Sequence, residues 1–230
     1  NNAQRSTLTP HAPYSVSPQM FGMINEFPNN TLLTIHNQET AAANEFFDKA
    51  PGDVLWLYQQ MGIDISFFKP TGKTSLQTWL PCFTKDQSII LVHNVCTAAG
   101  DLEFLKRTTV NSQLPTVFFC LCPNANLYIS NTLPDVPMLM QFTADIVLGT
   151  DSLASNDQLS ILEEIRTLQN NFKELDLPTL LKWATINGAR ALQMDDRLGS
   201  FEKGKQPGVI LIEGTEALMV NEKTLAKRIL

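Results

Sequence analysis

Four short apolar runs limit what this chain can fold into. Thr31–Ile35, Ser88–Val92, Thr116–Cys120 and Asp145–Leu148 are β-branched or aromatic, and stretches with helical spacing separate them. The helical stretches are Ser17–Glu26, Thr40–Phe47, Val54–Met61, Asp101–Arg107 and Met138–Thr143. Strands alternating with helices pair in parallel, and continuous apolar runs mean strands covered on both faces. Two architectures satisfy this, the open doubly wound sheet and the closed barrel. A weaker strand is expected at Ser6–Thr9, stopped by Pro10.

Beyond the fourth run, Asn156/Asp157 can cap a helix reaching about Asn170, with Ile161, Leu162, Ile165 and Leu168 at helical spacing. A second helix follows from Leu177 or Pro178, burying Leu180, Leu181, Ala184 and Ala191. From Gly199 the chain becomes turn-rich. Val209–Ile212 and Ala217–Val220 then read as two β segments, which places a domain boundary near residue 198.

Bulk composition removes several classes of function. The 230 residues are 43% hydrophobic and 17% charged, as in an ordinary folded domain. A formal charge of −6 repels polyanions, so neither nucleic acid nor an anionic membrane is an expected partner. The apolar runs are far shorter than the roughly 20 residues that span a bilayer. The opening Asn-Asn-Ala-Gln-Arg does not read as a signal peptide. Four cysteines supply no disulfide framework, and the Cys120/Cys122 pair lacks the second pair of a zinc ribbon. Reduced thiols in a cytoplasmic protein are expected.

Three ionisable residues share one kind of position. His36 ends Thr-Leu-Leu-Thr-Ile-His, His93 ends Ser-Ile-Ile-Leu-Val-His, and Asp151 follows Asp-Ile-Val-Leu-Gly-Thr. Each sits where an apolar strand gives out at its C-terminal end, the end that carries chemistry in parallel α/β folds. Imidazole and carboxylate are ligands for Zn²⁺ and similar ions, and both move protons near neutral pH. Glu39, three residues after His36, can turn back over the strand mouth or simply favour the start of the next helix. The Thr71-Gly-Lys-Thr74 stretch resembles the end of a phosphate loop, but Phe67 stands where its first glycine is required. A surface loop is expected there.

The segments Thr9–Ser17, Thr34–Thr40, Leu91–Asn94, Cys122–Tyr128, Gly149–Ser152 with Ser155-Asn156, and Ala184–Leu192 followed by Gly199–Lys205 together resemble the amidohydrolase superfamily. The similar branch contains adenosylhomocysteine/methylthioadenosine deaminases, guanine deaminase and triazine chlorohydrolases. The resemblance implies a (β/α)8 TIM-type barrel, with strands four to eight in residues 1–198 and returning strands of a small β-sandwich in 199–230. It implies that His36 and Asp151 bind one divalent metal, zinc with iron as the alternative. It further implies that His93 stabilises or deprotonates the attacking water, that Asp151 accepts a proton, that Glu39 shuttles one to a ring nitrogen, and that His11 contacts substrate.

Departures are visible too. The family's metal site opens with a His-x-His, which this sequence does not contain. Those residues are expected upstream of Asn1, and the segment alone is expected neither to retain metal nor to be active. Asn124-Ala-Asn126 carries Ala where relatives commonly have Ser, and Gln206-Pro-Gly replaces a usual Ala-Asp. The implied activity is deamination of a small amino-substituted heterocycle, such as a purine or nucleoside. A cyclic amidase or chlorohydrolase, a truncated scaffold protein and a doubly wound nucleotide binder are the alternatives, and a homodimer stays open.

Overall fold

The computed structural model describes residues 6–49, 52–110 and 115–230. All four apolar runs are strands: β1 (Leu32–Asn37), β2 (Ser88–His93), β3 (Thr116–Leu121) and β4 (Ile146–Leu148), in one sheet in chain order. β1 and β2 pair in parallel, with Leu33 beside Ile89, Ile35 beside Leu91 and His36 beside Val92. Order without reversal lacks the switch point that defines a doubly wound sheet.

The helices are α1 (Pro18–Asn25), α2 (Ala41–Asp48), α3 (Asp53–Gln60), α4 (Ser75–Trp79), α5 (Ala99–Val110), α6 (Pro123–Ser130), α7 (Val136–Phe142), α8 (Ile161–Asn171), α9 (Leu177–Lys182) and α10 (Gly188–Ala191). Local chemistry sets several ends. Ser17 Oγ accepts from Met20 N ahead of Pro18 at the first position of α1. Thr74, the end of the Thr71–Thr74 stretch, caps α4 by accepting from Gln77 N. α6 was not expected from periodicity, yet it carries helix punctuation, Pro123 in its first turn and Asn131 left-handed at its C-cap. Among the described residues no helix is long and apolar enough to cross a membrane.

Three sequence expectations need correction. Ser6–Thr9 forms no strand. Pro10 has no N–H, and the segment is instead held to β1 by side chains: Thr9 Oγ1 accepts from Thr34 N at 2.8 Å, and Asn30 Nδ2 donates to Leu8 O at 2.7 Å. The cap of α8 is Ser160, not Asn156 or Asp157. Ala217–Val220 is not a strand: Ala217 and Leu218 are left-handed, with φ of 50° and 61°. Gln169 takes up that segment's backbone, donating to Leu218 O at 3.2 Å and accepting from Val220 N at 2.9 Å. The strand that pairs with β5 (Ile210–Glu213) is β6 (Leu225–Arg228), antiparallel.

The chain divides into two compact units, Asn1–Phe119 with Pro134–Phe142, and Cys120–Leu133 with Thr143–Leu230. The expected boundary near residue 198 falls inside the second. In the first unit Leu33, Ile35, Ile89, Leu91, Leu76 and Leu105 are buried, each worth roughly 1.5–3 kcal/mol on burial. A separate aromatic cluster joins α2 to the loop after α3, where Phe46 stacks on Phe68 at 4.1 Å.

In the second unit Leu121, Ile146, Ile165, Leu168 and Leu180 are buried. The single expected helix over residues 177–191 contains a π-helical turn, Trp183–Asn187. Asn187 Nδ2 donates to the carbonyls of Ala144 and Ile146, both at 2.8 Å, fastening that turn to β4. Gly199 follows at φ +85°, and a Cβ there would lie 2.7 Å from Ala189 Cβ, so glycine is required.

Glu164 on α8 is fully buried and accepts from Asn124 N at 2.9 Å, Asn124 Nδ2 at 3.1 Å and Asn156 Nδ2 at 2.8 Å. Burial pushes its carboxyl above the ordinary range, against these hydrogen bonds, which pull it down. A carboxyl raised in the folded state contributes stability that is complete below the unfolded value of about 4.3 and is lost as pH rises through the folded one. Glu164→Gln cannot lose that contribution. Urea unfolding should therefore show the wild type losing ground to Glu164→Gln as pH rises from about 4 to about 7. A stability difference that stays flat over that range would overturn the assignment.

Candidate active site

Strand alternation alone would separate the two strand-end histidines. His36 is in register with Val92, and His93 with Asn37, so a regular pleat sends the two imidazoles to opposite faces of the sheet. The backbone of His93 is left-handed instead, with φ of 79°, and Asn94 follows at 63°. Alternation ends there, and the His36 and His93 rings lie 5.0 Å apart, centroid to centroid. His93 is fully buried while His36 is half-buried.

Two further residues join them. Glu39 Oε1 lies 3.5 Å from His93 Nε2. It precedes Thr40, the N-cap of α2, and the backbone turns at Gln38, again left-handed at 47°. Proximity to the helix start and to His93 therefore coexist in one residue. His11 is exposed, meets His36 edge-on at 4.9 Å, and its Nδ1 lies 3.0 Å from Ser15 Oγ. Its carbonyl accepts from His36 N at 3.0 Å, which fixes the two residues by backbone as well. Tyr14 stands beside them. Burial first, then the Glu39 carboxylate, then Tyr58, hold its phenol above the ordinary value.

Left-handed backbone in a non-glycine residue costs about 1–3 kcal/mol and persists only where its surroundings impose it. In the first unit the surroundings are amides. Asn37 O accepts from Asn94 N at 2.9 Å, Asn37 Nδ2 donates to Asn94 Oδ1 at 3.1 Å, and Gln38 O accepts from Cys96 N at 2.8 Å. The loops that follow β1 and β2 are thus stitched together beyond the last strand pair. No sequence motif marks these bonds, although Asn94 is one of the few residue types that accept a left-handed backbone.

Asp151 belongs to the second unit. It too is left-handed, at 54°, and its Oδ2 accepts from Ser155 Oγ at 2.6 Å. Asn156 Nδ2 donates to Thr150 O at 2.7 Å, so the loop is anchored to the buried Glu164. Cys120 and Cys122 are buried and form no disulfide. The Cys122 thiol is held well above its ordinary value, first by a hydrogen bond with Cys120, then by burial and the charges of Cys120, Glu164 and Asp151. Cys122 is therefore a quiet core thiol. Cys96 is half-buried and Cys82 is exposed, and both are free.

The chain as a whole is similar to several known proteins. A methylthioadenosine/S-adenosylhomocysteine deaminase of Aquifex aeolicus is 28% identical over 215 residues, 90% of this chain and 43% of that protein. An adenosine deaminase of Helicobacter pylori is 30% identical over 207 residues, 88% of this chain and 48% of that one. The chain spans less than half the length of these curated relatives. Among solved structures, Helicobacter pylori aminofutalosine deaminase in complex with methylthio-coformycin superposes with a TM-score of 0.76 at 24% identity, covering 94% of this chain and 52% of that one. An adenosine deaminase from Xanthomonas campestris with bound zinc gives 0.66 at 24% identity, covering 92% and 44%. The amidohydrolase family model matches residues 1–227, and the chain belongs to that family.

Proposed function

We propose that the whole protein is a metal-dependent hydrolase that deaminates a small amino-substituted heterocycle, a purine, nucleoside or related ring. The observation that carries this reading is the cluster of His11, His36, His93 and Glu39 at the ends of β1 and β2. Its relatives named above as deaminases favour that reaction over a cyclic amidase, a chlorohydrolase or a scaffold role. The unreversed strand order supports a (β/α)8 barrel as the framework. The small antiparallel pair β5–β6 supports a β-sandwich contribution from residues 199–230.

Imidazole and carboxylate suit a borderline divalent ion such as zinc, so the donor chemistry fits. In number the set is short: among the described residues no group of three or more His, Cys, Asp or Glu side chains is arranged to hold an ion. His36 and Asp151 are the ligands proposed from this chain. Such an ion, when bound, supplies Lewis acidity and lowers the pKa of a bound water to about 7.

The protein's own groups then divide the proton traffic. His93 holds the attacking water and, with Asp151, takes its proton. Glu39, beside His93 at 3.5 Å, delivers a proton to the ring nitrogen next to the amino-bearing carbon. The carbon–oxygen bond forms, and the amino group receives the water proton held by Asp151 and His93. The carbon–nitrogen bond breaks to release ammonia, and the proton left on the new hydroxyl returns Glu39 to its acid form. His11, the exposed member of the cluster, contacts the substrate ring.

Glu39→Gln in the whole protein should retain its metal and lose about 10² or more in kcat, the scale for removing a positioned acid or base. Asp151→Asn should lose metal as well as turnover. Ammonia release from aminopurines, adenosine derivatives and aminotriazines, with metal content measured in parallel, checks both. Full activity in Glu39→Gln on the best substrate removes Glu39 from the mechanism.

Chelation provides a separate check. Removing divalent metal should abolish ammonia release, and adding zinc back should restore it. Turnover that survives complete metal removal would contradict the metal-dependent reading.

A further inference from the structure

Behind the Glu39–His93 pair lies a buried carboxylate that the proposed chemistry does not use. Asp101, in the first turn of α5, is 0% exposed. Its Oδ2 accepts from Gln38 Nε2 at 2.9 Å and Ala98 N at 3.1 Å, and its Oδ1 from Gln77 Nε2 at 3.0 Å and the Thr74 hydroxyl. These four uncharged donors come from the loop after β1, the loop after β2, and α4 with its cap.

Gln38 is the link to the site. Its side chain is 1% exposed and held at both ends. Nε2 also donates to Asn44 Oδ1 at 3.2 Å, while Oε1 accepts from Thr97 Oγ1 at 2.7 Å and Asn37 Nδ2 at 3.3 Å. The residue so gripped has a left-handed backbone, φ 47°, and the next residue in the chain is Glu39.

We propose that Asp101 and Gln38 are positioning residues that aim the Glu39 carboxylate at His93. Rotation about the Gln38 backbone swings Glu39 directly, and the Gln38 side chain, held by Asp101 together with Asn44, Thr97 and Asn37, resists that rotation. All four partners of Asp101 donate, so both carboxylate oxygens are needed as acceptors. Asp101→Asn replaces one acceptor oxygen with a donor and removes the negative charge, which weakens the grip at nearly unchanged side-chain volume. The catalytic consequence rests on the deaminase reading; the loop-holding role does not.

The test uses the whole protein with Asp101→Asn, Gln38→Glu and the double variant, read by amide hydrogen exchange, metal content and steady-state kinetics. The Asn94 and Cys96 amides, bonded across the two loops, report the grip directly. Each single variant should speed their exchange at least about tenfold while the β1–β2 core amides stay protected. Each should lower kcat about tenfold or more at unchanged KM and metal content. The double variant reverses the polarity of the 38–101 hydrogen bond, so its losses should be smaller than the product of the single losses.

Local loosening with unchanged kcat overturns the positioning role. So do losses that multiply in the double variant, or a KM and metal loss matching that in kcat. Wild-type protein that releases no ammonia from any substrate sinks the deaminase reading instead, and unchanged exchange at Asn94 and Cys96 then still overturns the grip. If Asp101→Asn fails to fold, Thr97→Val removes one hydroxyl donor from Gln38 at equal volume. It should shift exchange and kcat in the same direction by less, and no shift in either overturns the proposal.

Discussion

A parallel strand that meets a left-handed residue cannot continue its pleat, and the cluster of His36, Glu39 and His93 in the first unit depends on two such endings. Gln38, His93 with Asn94, and Asp151 all take positive φ at or just past the ends of β1, β2 and β4. A β-branched or bulky residue there is disfavoured by clashes with its own carbonyl. The departure from regular geometry is what brings His93 to the His36 side of the sheet and turns the chain back so that Glu39 meets it. Strained backbone of this kind is held by its neighbours, and here the neighbours are amides and buried carboxylates.

The two units solve that holding problem in the same way. In the first, Asp101 gathers Gln38, Gln77, Thr74 and the Ala98 amide. In the second, Glu164 gathers Asn124 and Asn156, and Asn156 reaches on to the Thr150 carbonyl beside Asp151. A carboxylate taken out of water is costly unless its lone pairs are satisfied. Once satisfied by uncharged donors, it becomes a rigid hub that fixes several loops at once. Apolar packing could bury the same volume but would not fix the rotation of a neighbouring backbone.

The loops themselves are anchored to ordinary core. Leu33, Ile35, Ile89 and Leu91 bury one face of β1 and β2, and Asn187 ties the π-helical turn to β4. The strand ends are therefore the places where a rigid sheet passes into hydrogen-bonded loops. Precision of about half an ångström in a catalytic group needs both parts.

Much of this was legible in the sequence. Short β-branched runs, helical spacing between them and an ionisable residue at three of the four strand ends are local patterns, and local patterns survive in a linear string. They placed β1 to β4 and singled out His36, Glu39, His93 and Asp151; the resemblance to the amidohydrolase superfamily, carried by motif segments along the chain, added His11. Periodicity misled where side chains replaced the backbone ladder, as at Ser6–Thr9 and Ala217–Val220. It was silent on Asp101, which read as the start of a helix. The pairing of β5 with β6, the turn of His93 out of register and the grip of Asp101 on Gln38 were decided by tertiary structure alone. Gln38 and Asp101 stand 63 positions apart, and Asn37 and Asn94 57. Hydrogen bonds over such separations exist only once the sheet has brought its strand ends together, so no reading of neighbours along the chain could have found them.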